Sequence, residues 1–212
     1  LTRISSHSVY AFIWKQGIHM TVFIFFSPQG VSRVRYLKFG VRMRLYAYAS
    51  GEIVGTPFPE SLVDSNAVEI RTRYNVKGDK FGMIRTEVLQ AFPFPEDLGR
   101  FVTESLIWNR MARKYHERYI NEVFAYKEYQ PDGLSDNSIR IRASSSTAAR
   151  TYYREFMELE VLYVPLIDRL KACANYVRFS IHGKVSLVKQ YGEIKRKGCW
   201  ILSLPVGSVL YL

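Results

Sequence analysis

Only two cysteines, Cys173 and Cys199, occur in 212 residues, so the spacing writes neither a disulfide framework nor a zinc pattern. Such sparing use fits a reducing compartment. The four histidines, His7, His19, His116 and His182, are scattered, with no His-Glu-x-x-His motif, which argues against a structural metal site. Acidic residues are also scarce: 19 Asp and Glu face 30 Lys and Arg, for a net charge of +11. That excess points to a polyanionic partner: nucleic acid, an anionic membrane surface, or nucleotide and phosphate groups. No long hydrophobic run is present. The apolar stretch from Val9 to Phe26 is interrupted by Lys15, Gln16, Gly17 and His19, and it lacks the marks of a secretory signal. The uncharged segment Cys199 to Leu212 falls short of the ~20 apolar residues of a spanning helix. Pro205 and Gly207 are expected to break it. There is no Gly-rich phosphate loop and no Asp-x-Asp anywhere in the chain.

A hydrophobic content of 48% and an aromatic content of 15% suffice to bury a core, which excludes global disorder. Val9–Trp14 and Met20–Phe26 read as β-rich runs, the second closed by a turn at Ser27-Pro28-Gln29-Gly30. From Val41, apolar Val41, Met43, Leu45, Ala47 and Ala49 alternate with Arg42, Arg44, Tyr46 and Tyr48, the period of a half-buried strand. A short helix is expected from Asn66 to about Tyr74, a strand at Phe81–Ile84 and a helical turn at Thr86–Ala91. Thr103 suits an N-cap for a helix Glu104–Tyr115 with a stripe of Leu106, Ile107, Met111 and Tyr115. Tyr119–Tyr126 is strand-like, and Gln130-Pro131-Asp132-Gly133 is a turn. Ser144–Ser146, with Arg140, Arg142 and Arg150 nearby, reads as a basic connector. Residues from about Thr147 to His182 are expected to be helical with a break at Pro165. The order of strands and helices is α/β-like, with a helical appendage.

The segments LYAYASGEIVGTPFPE, VKGDKFGMIRTEVLQAFPFPED, FVTESLIWNRMARKY, NEVFAYKEYQPDGLS and LSLPVGSVLYL carry a resemblance. From about Arg44 onward the chain resembles the C-terminal half of a bacterial family 2 glycosyltransferase of the capsular or cell-surface polysaccharide type. The resemblance implies an incomplete GT-A, Rossmann-like α/β domain. It divides the chain into an unmatched segment 1–40, an acceptor and base half 41–146, and a helical extension 147–212 with a membrane-interface tail.

In that family an acceptor hydroxyl attacks the anomeric carbon of a nucleotide-diphosphate sugar with inversion. The base is the second acidic residue of a pair at a helix start, with an Arg six positions on. Here Thr103-Glu104 occupies the pair and Arg110 the later position, which nominates Glu104 as catalytic base. The resemblance places Asp79, Trp108, Asn109, Arg110 and Asp132 on the substrate side. It implies a divalent cation, magnesium or manganese, whose ligands are not in this chain. The missing Asp-x-Asp half implies that this chain is inactive alone. Expected partners are the nucleotide sugar and a glycan or lipid-linked acceptor, with a cytoplasmic location at the inner face of the cell membrane.

The alternative is a non-catalytic module that docks on a membrane or partner. Lys195, Arg196 and Lys197 directly precede the apolar segment with Trp200 and Tyr211, a pattern suited to an interfacial anchor on an anionic leaflet. Nucleic-acid binding is not favoured. It rests on charge and on the interleaving of Arg71, Arg73 and Tyr74 and of Arg150, Tyr152 and Tyr153, without a recognition motif.

Overall fold

The computed structural model describes residues 9–16, 19–26, 40–47, 50–59, 64–127, 138–159 and 164–211. The chain divides into two compact units, Leu1–Pro93 with Lys114–Gln130, and Phe94–Arg113 with Pro131–Leu212.

The first unit holds β1 (Val9–Gln16), β2 (His19–Phe26), β3 (Gly40–Ala47), β4 (Asp64–Ser65), α1 (Ala67–Thr72), β5 (Phe81–Arg85), α2 (Thr86–Ala91) and β6 (Glu117–Lys127). The strands form one sheet of order β2-β1-β5-β3-β6-β4. β1 and β2 are antiparallel in continuous register from Val9↔Phe26 to Gln16↔His19. β3 lies between β5, to which it is antiparallel, and β6, to which it is parallel.

Arg42 on β3 reaches the buried Glu117 on β6 in a two-pronged pair, Nε to Oε2 at 2.9 Å and Nη2 to Oε1 at 2.8 Å. The Tyr119 hydroxyl donates a third hydrogen bond to Glu117, at 2.8 Å. Arg42 has no room to spare, because a Cβ on Gly82 would stand 2.5 Å from its Nη1. Beside this polar knot Phe58, Ile70, Val76 and Tyr119 pack as a buried cluster. Asn121 clasps the Phe58 backbone from both sides, accepting from its N–H at 2.9 Å and donating to its carbonyl at 2.7 Å.

α1 begins where the sequence provides a cap. The Asn66 side chain accepts from the N–H groups of Val68 and Glu69, and Ser65 Oγ donates to the Glu69 carboxylate at 2.8 Å. Gly55 and Gly78 cross at positive φ, and a Cβ on Gly55 would overlap the Lys77 carbonyl. Glycine is required at this crossing both for its conformation and for its missing side chain.

The second unit is helical: a short 3-10 turn at Glu96–Leu98, then α3 (Glu104–Ala112), α4 (Ser138–Ser144), α5 (Ser146–Met157), α6 (Leu166–His182), α7 (Leu187–Glu193) and α8 (Lys197–Tyr211). The expected break at Pro165 is the N-cap of α6, with the Pro165 carbonyl accepting the first helical hydrogen bonds. The stretch read as a basic connector is instead parts of α4 and α5, and Arg142 donates to the Tyr153 hydroxyl at 2.9 Å.

α8 buries Trp200, Ser203 and Gly207, residues three and four apart and therefore on one side of the helix, Trp200 against α7 and the other two against α6. Ser203 Oγ donates to the Leu170 carbonyl at 3.3 Å, Gly207 lies against Ala174 and Val177, and the Tyr211 ring meets His182 at 4.7 Å. Both helices advance in the same direction through these contacts, so they are parallel. Pro205 does not break α8. Pro205 and Ile201, whose carbonyl loses its donor, both lie exposed on the side away from α6, where solvent can take that carbonyl's hydrogen bond.

The expectation of a Rossmann-like GT-A domain is overturned. A doubly wound core needs parallel strands joined by crossover helices on both faces. Here β3–β6 is the one parallel pairing among the described strands, and the other four are antiparallel. Helical residues outnumber strand residues, and the longer helices gather in the second unit instead of alternating with strands. The misreading has a simple origin. Local strand–helix–strand order looks the same whether the next strand returns parallel or antiparallel.

Candidate functional site

α3 carries four of the residues nominated for chemistry. Thr103 is its N-cap, as the pattern suggests, but makes no side-chain capping bond. Glu104 stands in the first turn, where a negative charge suits the helix dipole. Glu104 and Trp108 are half-buried and four residues apart, on one side of the helix. Asn109 is buried in the packed interior beside Leu106 and Ile107. Arg110 is engaged by Glu155 of α5 in a bidentate pair, Nε to Oε2 at 2.9 Å and Nη2 to Oε1 at 2.7 Å. That hydrogen bond raises the Arg110 pKa and neutralises the charge that a phosphate would need. Asp79 belongs to the first unit, exposed beside Lys80, while α3 belongs to the second. Asp132, with its turn and the loop around it, lies outside the described residues. Among the described residues no group of three His, Cys, Asp or Glu side chains is placed to hold a metal ion.

A second set of residues converges more strongly. Glu193 at the end of α7 accepts from Arg150 Nη1 at 2.6 Å and from the Tyr176 hydroxyl at 3.0 Å, with Arg154 Nη1 at 3.7 Å. One carboxylate thus ties α5, α6 and α7 together. Arg169 seals the end of α5 by donating to the Met157 carbonyl at 2.8 Å. The Tyr153 and Phe179 rings stack nearly flat at 5.6 Å. This rigid frame holds α7 and α8 in place.

What the frame presents outward is apolar. Val188 is 84% exposed, Leu202 72% and Val209 69%, with Ile201, Val206 and Leu187 also exposed. α8 has no charge after Lys197 and is apolar on its outward side as well as on its packed side. A helix apolar all round is normally enclosed by protein or by lipid. Exposed basic residues gather around it in sequence: Lys184, Lys189, Lys195, Arg196 and Lys197. At the junction of α7 and α8 the Lys197 ammonium sits 4.1 Å from the centroid of the Tyr191 ring, which in turn lies 5.7 Å from Trp200. Trp200 donates through Nε1 to Gln190 at 3.2 Å, so its ring is fixed. The sequence pattern located the tail and its basic start. It missed Leu187 and Val188, because α7 is too short to show a periodicity.

Burial in this unit sets an alkaline limit. The Tyr176 hydroxyl is pushed from its ordinary 10.0 to about 12 by burial and by the Glu193 carboxylate. The Cys173 thiol moves from 9.0 to about 12 by burial and by its neighbour Cys199. Unfolding releases both to their ordinary values, so between those values and about 12 the unfolded chain binds fewer protons. Stability is therefore fully present below about pH 9 and falls as pH rises toward about 12. Urea midpoints followed across that range should decline. A Tyr176→Phe variant should decline less steeply, and a flat profile would contradict the burial of these groups.

Neither a protein-family model, a curated protein nor a solved structure matches the chain. The resemblance to family 2 glycosyltransferases thus has no relative behind it and no GT-A core beneath it, and the sugar-transfer function inferred from it is withdrawn. Glu104 remains a helix-start carboxylate with an ordinary structural role available to it.

Proposed function

We propose that the second unit docks peripherally on an anionic membrane surface, with α8 lying along the interface. One observation carries this reading: the outward side of α8 is a continuous apolar face, and the exposed charges leading into it are basic.

The dimensions and energies agree. At ~1.5 Å per residue α8 is roughly 22 Å long, below the ~30 Å hydrocarbon thickness. Among the described residues no helix is long and apolar enough to cross a membrane. An interfacial helix instead buries one side to a depth of about 5–10 Å. Fully burying one branched aliphatic side chain gains about 1.5–3 kcal/mol. Each Lys or Arg near an anionic leaflet adds about 1 kcal/mol. Four apolar side chains and five basic ones are enough for binding of useful strength once ordering costs are set against them. The exposed Tyr191 ring beside Lys197 matches the amphipathic aromatic chemistry of a headgroup region.

The test is co-sedimentation with phosphatidylcholine vesicles, with and without phosphatidylserine. Binding should require the anionic lipid, weaken as salt is raised, and fall at least ~10-fold in a Leu202→Asp/Val206→Asp variant that keeps its helical circular dichroism. Equal binding to both vesicle types, or no binding to either, would refute the reading. So would a wild-type dimer that the same variant converts to monomer without any vesicle binding, since the occupant of the face would then be a second copy.

A further inference from the structure

We propose that Arg44 and Lys80 form a binding site in the first unit for the dianionic group of a phosphate monoester. β3 and β5 run antiparallel in a register that pairs Arg42 with Gly82 and Met43 with Phe81. One step further, the same register sets Arg44 opposite Lys80, the residue directly before β5. Residues two apart on a strand share a face. Arg44 and Lys80 therefore belong to the face on which Arg42 crosses Gly82 to reach Glu117. Glu117 takes the charge of Arg42, but the other two cations are left facing each other. Like charges directly opposite on neighbouring strands are destabilising. Among the described residues no ion pair engages either of them, and Arg44 Nε is buried without a hydrogen-bond partner. A buried nitrogen donor with nothing to bond is uncommon in a folded chain, and an anion between the two cations would satisfy it.

Both cations are positioned by their surroundings. Lys80 Nζ donates to the carbonyls of Lys77 at 2.7 Å and Val54 at 3.3 Å, beside the crossing of Gly55 and Gly78. An ammonium has three donors, so one is left for a ligand. The same Nζ lies 5.6 Å from the centroid of the buried Phe58 ring, which meets Tyr119 edge-on at 5.0 Å. Lys80 is thereby held on the side of the sheet where Tyr119 bonds Glu117. At Arg44 the β3–β6 register slips on either side, an irregularity of the kind that re-aims a side chain. Burial and then the Arg44 charge lower the Lys80 pKa, and the exposed Asp79 opposes them less strongly, so Asp79 does not neutralise the pair. A phosphate monoester carries about −1.5 to −2 charges at pH 7, which matches two cations. The planar guanidinium takes two of its oxygens and the ammonium a third. A phosphate diester carries a single charge and leaves one cation unmatched.

The site is independent of membrane docking, because Arg44 and Lys80 both belong to the first unit and α8 to the second. The whole chain is titrated by calorimetry, at fixed ionic strength, with inorganic phosphate, glycerol phosphate and dimethyl phosphate. The two dianions should bind saturably at one site, and the diester at least ~10-fold more weakly. Arg44→Met and Lys80→Met should each weaken phosphate binding at least ~10-fold. Lys77→Met, at an exposed lysine on the same loop, should bind as the wild type does. Vesicles of phosphatidic acid in phosphatidylcholine distinguish the source of the phosphate, in the Leu202→Asp/Val206→Asp background that silences α8. Sedimentation that is lost on adding Arg44→Met assigns a lipid headgroup, and binding of glycerol phosphate without sedimentation assigns a soluble ester. Absence of saturable phosphate binding to the wild-type chain would overturn the proposal, as would equal binding of the diester or an equal loss in Lys77→Met. The wild-type titrations decide the matter even if a variant folds poorly.

Discussion

Replacing Glu117 with alanine is expected to cost about 3–5 kcal/mol, the range for breaking a buried ion pair from one side. Glu117 is 1% exposed and Arg42 keeps only 13% of its side chain in solvent. The substitution leaves the Arg42 guanidinium without its carboxylate and strips the Tyr119 hydroxyl of its acceptor. It also removes the cross-strand tie at the parallel pairing of β3 with β6. Glu117→Gln preserves shape and part of the hydrogen bonding, so its loss should be smaller. An Arg42→Met/Glu117→Leu double variant should recover part of the loss, because matched apolar replacements avoid an uncompensated charge. Urea unfolding of the wild type and these three variants makes the comparison, and adding Arg42→Met and Glu117→Leu singly closes the double-mutant cycle. A loss below about 1 kcal/mol for Glu117→Ala would show that the pair contributes no more than a surface ion pair.

The second large effect is expected at Gly207. A side chain there meets Val177 Cβ at 2.5 Å and the Ala174 carbonyl at 2.6 Å, and a main-chain oxygen cannot swing aside as a flexible side chain can. Overpacking of an interior costs about 1–3 kcal/mol, and Gly207→Val belongs at the top of that range because one of its clashes is with backbone. The expected outcome is displacement of α8, with faster amide exchange along it and loss of the Trp200–Gln190 hydrogen bond. Gly207→Ala should show the same change in milder form. Native exchange protection in Gly207→Val would mean that α8 does not rest on α6 through this residue.

Local structure was legible wherever one segment carried its own instructions. Asn66 marked the start of α1, Pro165 the start of α6, and the alternation from Val41 the strand β3. Partnership was not legible. Arg42 falls on the polar half of that alternation and reads as solvent-facing, yet it is enclosed, because its partner Glu117 lies 75 positions away. The strand–helix order around β5 is the same in a doubly wound domain and in this mixed sheet, and the direction of the return is set by tertiary pairing. Pro205 was misjudged for a related reason. A proline costs a helix one hydrogen bond and crowds the carbonyl four residues back, and that this carbonyl, of Ile201, faces solvent became known only with the contact of α8 to α6. Of the nominated site, the sequence placed Glu104 and Arg110 correctly on one helix. It had no means of showing that Glu155 neutralises Arg110.

The parallel run of α6 and α8 also governs the order of assembly. Two consecutive antiparallel helices can close like a hairpin from their shared turn, but these two cannot. Residues 183–196 must first retrace the length of α6, and the entropy of closing that loop precedes any contact between the helices. α5 and α6, adjacent in sequence and linked by a short connection, come together earlier. α8 is therefore a latecomer to the fold. Until it is seated, its whole circumference is greasy and bare, and its slot on α6 competes for it with any lipid or chaperone within reach.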